Sequence, residues 1–337
     1  MTSPTRTRSG AKKLEWQFLL TAVALWLPII VGRLAFGASA MTMLIFGTLA
    51  GLLGTMVGGR RVGSATVVAF LLSAPVAIVA GQDPIAGMCL MALASLLIGG
   101  AAYYKRYGGF NIVLVGILFV VTAPAALAGQ LSGGIGHNSE LLKVLLGTAL
   151  CGFWPVLIVP FMNAVADVPL QATYAKLDTI RYAVALAVLV STTTLIALTW
   201  GKNSHGVWLP LTLIMVMQVE PGTTPHRTAQ RMYGTVLGAL VAAVLATYLP
   251  GEWASLIVML VATLGMVITG GHEPYGRFVF FLTILVLMGV SAGEPALEAT
   301  FERIVYTALG CAIALGAYYF KITVAGRAAA QPSVSGA

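Results

Sequence analysis

Arg227, Arg231 and Thr235 follow one another at intervals of four residues, a spacing that puts all three on one face of a helix. Guanidinium groups beside a hydroxyl suit the capture of an anion, because an arginine can hold a carboxylate through two parallel N–H···O bonds. The pairing recurs along the chain: Ser64 follows Arg60 by four residues, and Thr307 follows Arg303 by four. Lys143 precedes Cys151 by eight residues, as Arg303 precedes Cys311. Gln218 and Glu220 lie shortly before the Arg227 segment. Glu220 has two readings, a partner for one of the arginines or a proton carrier with a raised pKa. Intramembrane charges usually pair, which favours the first. The candidate substrate-binding residues are therefore Arg60, Ser64, Lys143, Gln218, Arg227, Arg231, Thr235, Arg303 and Thr307, with Glu220 assigned to proton coupling or charge pairing.

Other chemistries lack their residues. The three cysteines, Cys89, Cys151 and Cys311, sit in apolar runs without metal spacing and read as small buried hydrophobes. Four scattered histidines and the absence of Walker, H-E-x-x-H or dinucleotide motifs give no support to a metal site, a cofactor, an enzyme or an ATP-driven motor.

The elements that must position these residues are membrane helices. The chain has 337 residues, 58% of them hydrophobic and only 9% charged, and a mean hydropathy of +0.92. Soluble domains carry about 25% charged residues. The expected fold is an all-α polytopic membrane protein with about twelve spans, near 15–32, 37–57, 62–80, 84–104, 109–128, 141–162, 179–200, 206–219, 226–249, 252–270, 277–293 and 297–320. One run is too short to cross alone. Gly206–Met217 would extend only about 18 Å as helix, against a hydrocarbon core of about 30 Å. It stops at Gln218-Val219-Glu220-Pro221-Gly222, and a new helix starts at Thr224-Pro225, with Thr224 as N-cap. A broken or short helix at 206–225 follows, and irregular backbone at that depth survives only against protein or a water-filled cavity. Gly234-x-x-x-Gly238 would let the new helix approach a neighbour closely. Trp208 reads best as part of the interfacial aromatic belt.

The formal net charge is +8, and its placement argues for topology rather than nucleic acid. With the N-terminus inside, fifteen Lys and Arg fall on the cytoplasmic side and only Arg33, Lys143, Lys202 and Arg303 on the other. That positive-inside bias puts both termini in the cytoplasm.

Three of the motifs repeat in order. Arg60-x-x-Gly63-Ser64 recurs as Arg231-x-x-Gly234-Thr235, Tyr107-Gly108-x-Phe110 as Tyr275-Gly276-x-Phe278, and Lys143 with Cys151 as Arg303 with Cys311, at offsets of 171, 168 and 160. Two homologous halves follow, residues 14–163 and 179–320, joined by a cytoplasmic linker at 164–178 and flanked by tails at 1–13 and 321–337. Six spans per half make the repeats parallel, with substrate sites expected between them. Arg60 and Arg231 would then form a basic layer at the inner mouth, and Lys143 and Arg303 one toward the outer mouth.

The order Trp208-Leu209-Pro210-Leu211-Thr212, Gln218, Pro221, Arg231-x-x-Gly234-Thr235-x-x-Gly238, and finally Glu302-Arg303-x-x-x-Thr307-x-x-Gly310, resembles the fusaric acid resistance / aromatic acid exporter family. The resemblance covers about residues 178–320 and reaches the first half only through the repeat. It implies a bacterial inner-membrane exporter of aromatic or other organic carboxylates, driven by the proton gradient or the membrane potential. It also implies a periplasmic membrane-fusion adaptor as a candidate partner, and leaves a homo-oligomer open. Plant aluminium-activated malate channels look distantly similar, so a passive anion channel of the same architecture is the alternative. Two departures stand out. Familiar members carry a large cytoplasmic domain between or after the halves, where this chain has sixteen residues, Asn163–Asp178. Their adjacent Gln-Pro is opened here to Gln218-Val219-Glu220-Pro221.

Overall fold

The structure, a computed structural model, describes residues 26–32, 34–36, 40–104, 107–122, 138–159, 175–201, 206–219, 222–249, 251–269, 275–290 and 296–330. Among these residues there is helix and turn and no strand. After helical residues at 26–32 and 34–36, the elements are α1 (Met41–Ala80), α2 (Pro84–Ala101), α3 (Tyr107–Thr122), α4 (Asn138–Ile158), α5 (Lys176–Thr199), α6 (Trp208–Val216), α7 (Thr223–Tyr248), α8 (Glu252–Thr269), α9 (Tyr275–Val290) and α10 (Ala296–Ala330).

Six helical stretches among the described residues are long and apolar enough to cross a membrane: Gly58–Ala80, Pro84–Ala101, Leu141–Ile158, Lys176–Thr199, Thr223–Tyr248 and Leu297–Phe320. Eighteen residues of helix measure about 27 Å, close to the hydrocarbon thickness. The outward faces match a lipid solvent. Leu72, Leu97, Val188 and Leu237 are exposed, while Arg231 and Arg303 are among the largest fully buried side chains. Apolar outside and charged inside is the reverse of a water-soluble surface.

Two reversals shape the bundle. α1 is a helical hairpin: Gly58 and Gly59 leave helical geometry, Gly59 with φ 71°. The Thr66 hydroxyl donates to the Ala50 carbonyl at 2.7 Å, a contact that sixteen residues of straight helix would stretch to about 24 Å. The expected spans 37–57 and 62–80 are therefore the two arms of α1. The second reversal joins α6 to α7. Met217 turns extended, and Gly222 adopts φ 92° as the residue capping α7. A side chain at either glycine would meet open space but a left-handed backbone, so conformation alone requires the glycine. The expected N-cap at Thr224 is displaced for this reason. Helix begins at Thr223 behind Gly222, with no side-chain cap, and Thr224 is buried inside the first turn.

The short helical limb before each reversal packs on a later helix. The first arm of α1 lies on α4, where Gly47 meets Thr148 and Gly51 meets Gly152. α6 lies on α10, where Gly310 meets Thr212 and Leu209. α7 packs against α9 and α10, and α2 packs against α5. The joins between elements before and after residue 175 are hydrocarbon: one buried cluster unites Phe46, Phe70, Met91 and Leu118 with Leu186, Trp208 and Leu213. A second unites Trp26 and Ile29 with Ala239, Met259 and Leu285. Cys151 and Cys311 are buried as expected; Cys89, expected to be buried, is exposed on α2.

Candidate functional site: a buried pair of arginines

Three helices converge on the site, and glycines set how closely. A Cβ on Gly234 would lie 2.5 Å from the Gly276 carbonyl oxygen, and one on Gly238 2.6 Å from that of Phe280, so α7 and α9 meet backbone to backbone. This is the close approach expected of the Gly234/Gly238 pair, with α9 as the neighbour. Arg231 projects from α7 beside that contact. On its other flank α7 meets α10, where the Cys311 thiol lies 3.9 Å from the Thr228 carbonyl oxygen. A Cβ on Gly310 would lie 2.7 Å from Thr212 Cβ and 3.1 Å from the Leu209 carbonyl oxygen, which wedges α10 between α6 and α7. Arg303 and Thr307 precede Cys311 on the same side of α10 by eight and four residues. They come opposite the Arg231–Thr235 stretch.

Arg231, Thr235, Arg303 and Thr307 are all 0% exposed. Nε, Nη1 and Nη2 of both arginines lack a hydrogen-bond partner among the described residues. The two guanidiniums are carried by helices packed against each other. The threonines are equally distinct. Thr48, Thr55, Thr148, Thr194, Thr212, Thr228 and Thr263 each donate to the carbonyl four residues back, the usual way a helix satisfies a hydroxyl away from water. Thr235 and Thr307 make no hydrogen bond among the described residues. Buried polar groups are ordinarily paired, and an uncompensated buried charge costs several kcal/mol. Ten N–H donors on two arginines, together with two hydroxyls, are thus buried without an acceptor among the described residues.

Trp208, expected at the interface, is instead 1% exposed. The guanidinium carbon of Arg303 lies over its ring, 3.7 Å from the centroid. The signal was present in the sequence: a tryptophan on a run too short to cross has no reason to reach a headgroup layer. Tyr275, noted in the sequence only within a repeated motif, and Thr283, not noted at all, likewise place buried hydroxyls on α9 without a hydrogen-bond partner among the described residues.

The remaining candidates lie elsewhere. Arg60 and Lys143 are exposed and Ser64 is half-buried, so the residues matched by sequence repeat do not share an environment. Arg227 is half-buried, its guanidinium 5.1 Å from the Tyr275 ring centroid. The Gln218 amide donates to the Met217 carbonyl at 2.7 Å, at the break itself. Glu220 lies outside the described residues. The basic residues brought together are all carried by helices after residue 175. Among the described residues, the contacts between elements before and after residue 175, where two basic layers were expected, include the apolar clusters described above.

Residues 186–317 match the fusaric acid resistance protein-like family. The chain is similar to the inner membrane protein YccS of Escherichia coli (strain K12), 30% identical over 113 residues, which are 34% of this chain and 16% of the relative. It is also similar to uncharacterized protein slr1298 of Synechocystis, 33% identical over 115 residues, 33% of this chain and 15% of the relative. A third relative, uncharacterized protein ORF2 of Neisseria gonorrhoeae, is 31% identical over 138 residues, 41% of this chain and 33% of the relative. The matches thus span a third or less of the length of these relatives. No solved structure matches the chain.

Proposed function

We propose that this protein, whose residues 186–317 match the fusaric acid resistance protein-like family, is an inner-membrane transporter that exports organic, chiefly aromatic, carboxylate anions. One observation carries the reading: two fully buried arginines on facing helices, with every guanidinium nitrogen unpartnered among the described residues. A carboxylate between Arg231 and Arg303 would supply the missing acceptors and the missing negative charge together, with Thr235 and Thr307 as further donors. The inner-membrane name of the Escherichia coli relative supports the location. The matching reversals at Gly59 and Gly222, and the matching seats of the short limbs on α4 and α10, support two parallel six-helix repeats. The site itself belongs inside the second repeat, among α6, α7 and α10. Arg60, Arg227 and Lys143 act at the mouths by raising the local anion concentration, and Gln218 and Glu220 line or neutralise the inner approach.

Proton gradient or membrane potential would drive export. An interior-negative potential of 100 mV contributes about 2.3 kcal/mol per exported negative charge. The test is flux in proteoliposomes containing this chain alone, with a panel of aromatic acids, beside growth inhibition by the same acids with and without the protein. Saturable flux that moves protons supports the exporter, and current without proton exchange supports a passive anion channel. No flux of any acid would refute the reading. Flux that appears only after a periplasmic adaptor is added would assign the adaptor an obligatory part.

The difference between Arg60 and Arg231 makes a further prediction. Were the two halves equivalent in function, Arg60→Ala would cost as much as Arg231→Ala. Because Arg60 is exposed, its loss is expected to slow flux only about twofold at low ionic strength and not at all at high salt, as for screened surface charge. Initial rates at two salt concentrations check this.

A further inference from the structure

The contact between Arg303 and Trp208 has a geometry that a counter-ion contact would not have. A carboxylate partner takes up the N–H edge of a guanidinium, whereas an aromatic ring takes up its face. With the guanidinium carbon 3.7 Å above the indole centroid, the π system offsets part of the charge of Arg303. Its nitrogens meanwhile remain without a hydrogen-bond partner among the described residues. Trp208 is itself held. Its ring meets Phe119 of α3 edge-on at 5.5 Å, and Phe119 lies 4.8 Å from Phe46 of α1. An aromatic ladder thus runs from the first half of the molecule to a cation in the second.

We propose that Trp208 is the positioning residue of the anion site, holding the Arg303 guanidinium by its face so that its N–H edge stays open to the bound anion, with Phe119 and Phe46 fixing the plane of the indole. The inference rests on the anion-transport reading, and it gives the first half a role that its exposed basic residues do not supply. A leucine at position 208 fills space but has no π face, leaving Arg303 free to turn away. A phenylalanine keeps the face.

The test measures benzoate flux against concentration in proteoliposomes for wild type, Trp208→Phe, Trp208→Leu and Phe119→Leu, each first checked for a monodisperse peak on gel filtration. Trp208→Leu is expected to raise KM about tenfold, the scale of a desolvated cation–π contact, with kcat within about twofold. Trp208→Phe should stay within about threefold of wild type in KM, and Phe119→Leu should fall between. A Trp208→Leu protein with unchanged KM, or a loss in kcat alone, overturns the proposal. So does a Trp208→Phe protein as impaired as the leucine variant, since packing volume would then explain both. A second readout needs no transport: with Trp16, Trp26, Trp154, Trp200 and Trp253 replaced by Phe, Trp208 emission should change on Arg303→Met and not on Arg60→Met. If wild type carries no benzoate or other acid, the transport reading fails, and this emission test still decides whether Trp208 holds Arg303. Unchanged emission on Arg303→Met overturns the contact itself.

Discussion

Arg231→Met and Arg303→Met are each expected to reduce carboxylate flux at least about thirtyfold and, at the same time, to raise the thermal stability of the protein. The two effects share one cause. Each arginine is fully buried and has no hydrogen-bond partner among the described residues, so in the anion-free protein its desolvation is uncompensated. Replacing buried ionic groups with well-packed apolar side chains of similar volume is often stabilising, by about 1–4 kcal/mol. Removing one member of a buried, hydrogen-bonded charge pair costs about 2–5 kcal/mol, which sets the expected loss once an anion is the other member. Arg231→Lys keeps the charge without the planar fork and should fall between wild type and Met. The two arginines carry like charges, buried on helices that pack together, so the double variant should gain less stability than the two single gains together. Flux and unfolding temperature, measured on the same detergent-purified samples, check all of this. Met variants that transport normally would remove the site; Met variants that unfold would mean the arginines are paired within the protein.

The gross fold was legible because lipid imposes its rules on composition. Runs of about twenty apolar residues place most of the described helices to within a few positions. α10 nevertheless runs to Ala330, ten residues past its expected end, and most of the expected span 15–32 lies outside the described residues. The failure of Gly206–Met217 to reach that length exposed the break before α7. Arg231 and Arg303 were singled out because an ionisable group inside a span is costly, and both are buried. What the residues could not convey was depth. Arg60 and Arg231 share a motif, yet Arg60 directly follows the Gly58–Gly59 reversal and is exposed, while Arg231 lies two turns inside α7 and is buried. Lys143 and Arg303 differ in the same way. Burial there depends on which helix covers the side chain, and neighbours distant in sequence decide that. Trp208 was misplaced for the same reason: its cover is Phe119 and Arg303, about ninety residues away on either side.

Gly51→Ala is expected to destabilise the protein by about 3 kcal/mol or more, at the upper end of what overpacking a core costs, for the addition of one methyl group. Gly51 stands where the first arm of α1 crosses α4. A Cβ there would land on the Gly152 carbonyl oxygen, with the carbonyl carbon at 3.0 Å and Pro155 Cγ at 3.3 Å. None of these is the end of a flexible side chain that could swing aside, so two helices would have to separate. Gly100→Ala provides the control: nothing lies within 4 Å of the added carbon. Alanine near the end of a helix should there be neutral or stabilising by up to about 1 kcal/mol. Thermal unfolding of the two variants, side by side, makes the comparison. The contrast bears on function because the corresponding crossing in the second half, α6 on α10 at Gly310, brings Trp208 to Arg303 one step further along. In the first half the same kind of crossing brings Gly47 and Gly51 against Thr148, Gly152 and Pro155 and leaves Lys143 exposed. One crossing is closed to backbone contact, while the other seats a buried cation and an indole beside it; under the proposed function the first would brace and the second would bind. An unchanged unfolding temperature for Gly51→Ala would mean that α1 and α4 stand apart, and the bracing role would go with it.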